Sequence, residues 1–264
     1  MHCAGLLRRL VFLLSLAAFG VHAQAPQGKP AAAPYEPTSG QEGKDVVWVP
    51  TPQIVVDKML DLARVTRRDV VMDLGSGDGR LVITAAKRGA RALGVEYNPD
   101  MVELSKRNAE KEGVAQKTSF VKADLFETDF SKASVITMFL LPEINLKLRP
   151  KILALKPGTR IVSNSFNMGD WEADQTVTLT SDAGCSTSWC TALLWIVPAQ
   201  VAGVHKLPQG ELTLKQQYQK LSGSLRTEGN TYGLEGKVRG NQITFTAGGR
   251  TYHGRMKGKR LELR

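Results

Sequence analysis

The sequence predicts an α/β protein: a doubly wound, mostly parallel seven-stranded sheet with a small C-terminal antiparallel β domain. Three observations carry that expectation. An apolar run from Val70 ends on Asp73 and opens into a turn with glycines at 75, 77 and 79. Strand and helix signals then alternate as they do in a parallel sheet covered on both faces. Beyond Pro198 they give way to short alternating runs punctuated by glycine. With 264 residues, 42% hydrophobic and 23% charged, the chain has enough apolar material for a large domain plus a small one, which excludes a disordered protein.

The first elements concern address rather than fold. Arg8 and Arg9 precede an apolar stretch from Leu10 to Ala23, and Ala23-Gln24-Ala25 fits the small-x-small pattern of a signal peptidase site. Residues 1–25 therefore read as a signal peptide, and the protein as exported and periplasmic. The stretch is shorter than the ~20 residues of a typical spanning helix, so no stable membrane span is expected after cleavage. An uncleaved membrane anchor and a mitochondrial leader are the alternatives. Residues 26–44, rich in Pro, Ala and Gly without an apolar period, read as a flexible linker.

The catalytic part is expected over 45–200. Thr51-Pro52 looks like an N-cap and first-turn pair, followed by Val55, Met59 and Leu62 at helical spacing, a helix expected to cover the pocket entrance. The apolar run from Val70 that ends on Asp73 is the first strand, and the helix after the glycine turn closes by Ala90. Arg91 to Glu96 is the second strand, Asn98-Pro99 opens a helix ending by Gly113, and 118–122 is the third strand. Residues 134–140 and 159–166 are the fourth and fifth.

The turn identifies the ligand class. It reads Asp73-x-Gly75-x-Gly77-x-Gly79, not the G-x-G-x-x-G of a dinucleotide site, and it lacks the Gly-Lys-Ser/Thr ending of a phosphate loop. A carboxylate entering the turn suits a cationic amino group rather than a pyrophosphate. Glu96, 23 residues after Asp73, ends the second strand where an acid meets ribose hydroxyls. Asp124 ends the third, placed to accept from an adenine amino group. Any one of these acids also suits a solvated loop or a helix cap; three at successive strand ends point to S-adenosyl-L-methionine. The expected cofactor-binding residues are Thr51, Asp73, Gly75, Ser76, Gly77, Gly79, Glu96, Tyr97, Asp124 and Leu125.

Residues 47–171 resemble the class I, seven-stranded methyltransferases, in particular the group of mitochondrial and bacterial protein-lysine methyltransferases. The matching stretches are Val49-Pro50-Thr51-Pro52, the glycine turn, Gly94-Val95-Glu96, Asp124-Leu125-Phe126, Phe139-Leu140-Leu141-Pro142-Glu143 and Leu155 to Ser163. The resemblance implies a terminal antiparallel strand pair over 175–180 and 191–197, S-adenosylmethionine as cofactor, and a protein lysine as acceptor. Because open parallel sheets bind ligands at the carboxyl ends of their strands, the candidate catalytic residues are Glu143, Asn164 and Phe166. Glu143 is placed either to orient the amine or simply as a helix N-terminal acid. The resembled group carries a titratable pair where this chain has Asn164-Ser165, so no base is expected there. Trp171 is either a wall for the amine or a packed core anchor.

Once the leader is removed, only Cys185 and Cys190 remain, flanking a four-residue loop. They read as a disulfide suited to an oxidising compartment, with two free thiols as the alternative. With only His205 and His253 left, and no C-x-x-C or H-x-x-x-H spacing, no metal site is expected and a Ser-His-Asp hydrolase is disfavoured.

Residues 201–264 are expected to form a basic β meander. One unit recurs 18 residues apart, Gly236 to Ile243 and Gly254 to Leu261, and the segment holds 12 Lys+Arg against 4 Asp+Glu. Lys237, Arg239, Arg255 and Lys257 share a face if the strands alternate, which suits an anionic envelope partner or merely a solvated face that discourages edge pairing. The interleaved Tyr218, Tyr232, Phe245 and Tyr252 read as core, so nucleic-acid binding is not the expectation. The alternative to an enzyme is an exported, non-catalytic binding protein that keeps a nucleoside pocket and binds its partner through this basic domain. A dinucleotide oxidoreductase is a weaker third.

Overall fold

The computed structural model describes residues 1, 35–258 and 260–263. The expected leader, apart from Met1, and the linker up to residue 34 lie outside the described residues. Among the described residues, no helix is long and apolar enough to cross a membrane.

The elements run α1 (Gln53–Leu62), β1 (Val70–Leu74), α2 (Arg80–Lys87), β2 (Arg91–Glu96), α3 (Pro99–Lys111), β3 (Thr118–Lys122), β4 (Val135–Met138), α4 (Pro142–Leu153), β5 (Arg160–Asn164), β6 (Gln175–Thr178) and β7 (Thr191–Ile196). They build one seven-stranded sheet of order β3-β2-β1-β4-β5-β7-β6, in which only β7 runs antiparallel to its neighbours. The central strands are apolar on both sides because both sides are covered. Val71, Val135 and Val162 join α1 and α2 in one core, whereas Met72, Leu74, Ile136, Met138 and Ile161 join α4, Trp171 and Trp195 in the other. Parallel register sets Asp73 beside Gly94 on one flank and Thr137 on the other, so the ends of β1, β2 and β4 open at one edge.

Two expectations near the start need correction. Residues 35–44 do not form a free linker: Gln41 donates from its amide to the Tyr35 hydroxyl at 2.6 Å, Gly40 and Trp48 bond through their backbones, and Lys44 pairs with Asp124 at 2.9 Å. Thr51 does not cap α1, whose N-cap is Pro52 with no side-chain cap bond. Proline fixes the entry geometry by its ring, which leaves the buried Thr51 hydroxyl free to face the Asn164 amide at 3.4 Å. Nor does α1 cover the pocket; it packs on β5, β7 and α2, and the segment before it lines the cleft.

The C-terminal sheet is larger than expected, with as many strands as the first: β8 (Gly203–Leu207), β9 (Gly210–Gln217), β10 (Lys220–Thr227), β11 (Asn230–Arg239), β12 (Gln242–Ala247), β13 (Arg250–Lys257) and β14 (Arg260–Leu263), each paired with the next. Every connection is two residues long. Gly248 and Gly249 at φ +56° and +74° supply the mirror-image turn whose twist suits a tight hairpin. Leu212, Leu214, Leu221, Leu225, Val238, Ile243 and Phe245 alternate onto one face and bury one another, so the sheet curls over a core of its own. Phe245 and Tyr252 stack in that core at 4.9 Å. Tyr218 does not belong there: it sits in the β9–β10 turn, stacks on Trp171 and donates to Asp170 at 3.0 Å. Tyr232 is exposed. The meander meets the first sheet at this turn and at Gly240, packed against Gly158 before β5.

Candidate active site

Local rules place the carboxylates. β1 ends at Leu74 and the chain turns at once, with Gly75, Gly77 and Gly79 at φ +78°, +53° and +83°, a region other L-residues avoid. The turn is held from three directions. The N–H groups of Gly75 and Ser76 both donate to the Val95 carbonyl, the Ser105 hydroxyl of α3 donates to the Gly77 carbonyl at 2.8 Å, and Asn108 donates to that of Asp78 at 3.0 Å. Arg80 is paired with Asp78 and reaches the Thr51 carbonyl at 2.8 Å, tying the turn to the Pro-Thr-Pro segment.

Glu96 receives the Gly77 N–H on one oxygen and the Asn98 N–H on the other, each at 2.9 Å. A carboxylate offers about four acceptor positions, so two remain for the hydroxyls of a ribose. Asp73 is 3% exposed and accepts from the Thr137 hydroxyl at 2.7 Å. Burial pushes its carboxyl up to about 7, Thr137 opposes the rise, and the charges of Glu96 and Asp78 add to it. A buried carboxyl near neutrality among other acids is poised to receive a cation. Asp124 is held below the usual carboxylate range by its bond from Lys44 and by the Phe126 N–H. Lys44 also lies over the Tyr97 ring at 5.3 Å. The adenine contact expected of Asp124 therefore has a resident competitor.

One cleft is lined by Thr51, Asp73, Gly75, Ser76, Gly77, Glu96, Tyr97, Asp124 and Leu125, together with Trp48, Phe139 and Leu140. Nine of the ten expected cofactor-binding residues meet there. Gly79 is not in that lining: it is the N-cap of α2, in the left-handed region, where a Cβ would press on Phe120 and Ser105 at 2.9 Å. The three catalytic candidates separate. Phe166 lies against Phe139 at the cleft. Asn164 is fully buried behind Thr51 and accepts from the Ser165 hydroxyl. Glu143 is an exposed acid in the first turn of α4, outside the cleft lining, as its helix-terminal role requires. Trp171 is fully buried and accepts the Trp195 indole N–H on its carbonyl, which makes it a core anchor.

Sequence reasoning missed Trp48, Lys44, Arg80 and Thr137. Trp48 adjoins the Val-Pro-Thr-Pro stretch, which was a usable signal, and its indole rests on Gly77, where a Cβ would overlap the ring nitrogen. Thr137 is marked by nothing local and is found only through strand register.

The residues present fit S-adenosylmethionine. The glycine turn leaves backbone approachable, Ser76 Oγ is buried without a partner, Glu96 keeps acceptor capacity, and the acids suit a cationic ligand better than a pyrophosphate. A family model described as the ANTKMT methyltransferase domain matches residues 73–175, ending before the second sheet. The chain is 47% identical over 135 residues to a protein-lysine N-methyltransferase of Saccharolobus islandicus, covering 50% of this chain and 84% of that one. It is 34% identical over 119 residues to the adenine nucleotide translocase lysine N-methyltransferase of Mus musculus, covering 44% of this chain and 52% of that one, so it spans about half the length of this second relative. A structure described as an RNA methyltransferase from Salinibacter ruber, in complex with S-adenosyl-L-homocysteine, superposes with a TM-score of 0.54 at 47% identity, covering 58% of this chain and 96% of that one. On the strength of these matches and this cleft, the chain belongs to the class I, S-adenosylmethionine-dependent protein-lysine methyltransferase family.

Proposed function

We propose that the protein methylates the ε-amine of a lysine in a protein acceptor. The observation that carries this is the cleft at the strand ends, with Glu96 and Asp73 on either side of the glycine turn, in a chain whose relatives include lysine methyltransferases of Saccharolobus islandicus and Mus musculus. When bound there, S-adenosylmethionine would supply a sulfonium methyl to the lone pair of the neutral amine, the thioether being the leaving group and the surplus proton on nitrogen going to water. Glu96, with acceptor positions left over, would hold the ribose hydroxyls, and ionised Asp73 would hold the ligand's ammonium. Leu140 and Phe139 give the reacting end an apolar wall that limits water. Alignment and a dry site supply most of the rate, so no strong base is required.

The test is calorimetric titration with S-adenosylmethionine and S-adenosylhomocysteine, followed by mass spectrometry of candidate acceptors. Methyl groups on lysine support the reading; methylation of RNA but not protein, or no binding by a folded chain, sinks it.

Export to an oxidising compartment is part of the proposal. It is supported by the bond between Cys185 and Cys190 and by the charge pattern of residues 8–25. An anionic envelope partner is proposed for the meander: strand register sets Lys237, Arg239 and Arg255 on one exposed face, with Lys220 opposite Lys237. Charge reversal at Lys237 and Arg239 tests it, since it should abolish retention on anionic vesicles without affecting cofactor binding.

A further inference from the structure

Three aromatic side chains meet where β4, β5 and β7 come together. Phe139 directly follows β4 and lines the cofactor cleft, Phe166 lies two residues beyond β5, and Trp189 lies two residues before β7. Antiparallel register pairs Asn164 with Ala192, and the Ser165 N–H donates to the Thr191 carbonyl at 2.7 Å, which brings the end of β5 beside the start of β7. The ring centroids are 5.8 Å apart for Phe139 and Phe166, 5.6 Å for Phe139 and Trp189, and 5.4 Å for Phe166 and Trp189. A core cluster would be buried, as Leu140, Trp171 and Trp195 are; these three are only half-buried. Asn164 and Ser165, at the same strand end, are uncharged and bonded to each other.

We propose that Phe139, Phe166 and Trp189 form the acceptor site, taking the alkylammonium end of the lysine side chain, and that the Cys185–Cys190 disulfide holds Trp189 in place. The assignment rests on the lysine reading above. With the centroids 5.4 to 5.8 Å apart, a cation seated over the triangle lies within about 6 Å of all three, the distance range of cation–π attraction. The tilt of Trp189 at 61° and 50° to the two phenylalanines keeps the three rings from forming one flat stack. The arrangement also suits the reaction. Charge builds on nitrogen as the methyl transfers, so the rings hold the transition state more tightly than the neutral amine. The same attraction favours the protonated amine, so the lysine gives up its proton to water before its lone pair attacks, and the rings then hold the ammonium that forms. Trp189 stands in a loop of six residues closed by the disulfide, with its own N–H donated to the Thr187 hydroxyl at 3.2 Å. The staple thus limits how far the third wall can move.

The test uses the full chain saturated with S-adenosylhomocysteine and ligand-observed NMR with n-butylammonium, with n-butanol as the neutral isostere. The expected result is that the ammonium binds about tenfold more tightly than the alcohol. Trp189→Leu should remove that preference, and Trp189→Phe should retain most of it. Dithiothreitol should weaken amine binding in the wild type and leave S-adenosylhomocysteine binding unchanged. No preference in the wild type, or an undiminished one in Trp189→Leu, overturns the site; amine binding indifferent to verified reduction overturns the role of the disulfide. Calorimetry on the same samples separates the two proposals. Intact S-adenosylhomocysteine binding without amine preference refutes this assignment alone, whereas loss of that binding in the wild type refutes the methyltransferase reading and this assignment with it.

Discussion

Replacing Asp73 by Asn should make the unliganded protein more stable and cripple cofactor binding. In the fold the Asp73 carboxyl is raised to about 7 from an ordinary value of 3.8, chiefly by burial. A raised carboxyl favours the fold at low pH, and that contribution is lost as pH rises toward the folded value. At pH 8 the folded chain must carry a buried carboxylate that the unfolded chain ionises freely, a penalty of at most about 4 kcal/mol from the difference between the two values. Asn keeps the acceptor for the Thr137 hydroxyl but brings an amide needing partners, which costs back about 2 kcal/mol. The net gain of about 2 kcal/mol corresponds to a Tm rise of roughly 4–8 °C for a chain of this size. At pH 5 the wild-type carboxyl is protonated in the fold, most of the penalty is absent, and the two proteins should melt nearly together. Binding runs the other way: the neutral amide loses the charged partner of the ligand's ammonium, about 2–3 kcal/mol or a 30- to 150-fold weaker Kd for S-adenosylhomocysteine. Thermal melts at both pH values, with calorimetry at pH 8, measure all three quantities. A lower Tm at pH 8, a gain of equal size at pH 5, or an unchanged Kd would each refute the reasoning.

Other outcomes follow from the same structure. Wild-type affinity for S-adenosylhomocysteine should fall about tenfold between pH 8 and pH 6 as Asp73 takes up its proton, and this dependence should vanish in Asp73→Asn; titrations in buffers of different ionisation enthalpy count the proton. Gly77→Ala meets both a positive φ and the Trp48 indole, so it should abolish binding, and adding Trp48→Ala should recover only part of the fold stability in melts, since the φ strain remains, and not full affinity. Asp69 is buried, yet bonds from the Ser134 hydroxyl, the Thr66 N–H and Arg160 hold its carboxyl below the usual range. The stability it contributes is therefore present above its unfolded pKa and lost as pH falls through its folded value. Asp69→Asn should cost about 2–3 kcal/mol in urea melts at pH 7 and far less at acid pH. Lys44→Ala frees Asp124 and should tighten binding, read by calorimetry; weaker binding would mean that Lys44 serves the ligand rather than competing with it.

Much of the site was legible because local rules dictate it. Asp73 and Glu96 end apolar strands, the glycines between them are required by backbone conformations that only glycine adopts at no steric cost, and nine of ten expected cofactor residues line one cleft. Gly79 is the one of the ten outside that lining: a positive φ demands glycine whether the turn faces a ligand or caps a helix, and the packing of Phe120 and Ser105 at this position is visible only in the tertiary structure. The meander was legible as strands, from alternation and glycine turns, but not in its number or closure, which depend on long-range pairing.

What the sequence determined by itself was therefore the chemistry that needs only near neighbours along the chain: strand ends, the glycine turn, the helix starts and the two cysteines of one loop. The tertiary structure decided everything that depends on separate segments meeting. Register set Thr137 beside Asp73 across 64 residues and brought Trp189 to Phe139 and Phe166. The chain's path laid Lys44 against Asp124 and Trp48 against Gly77. Local propensity is a sum over adjacent residues, whereas these contacts exist only because burying both faces of one sheet leaves a single arrangement of its strands.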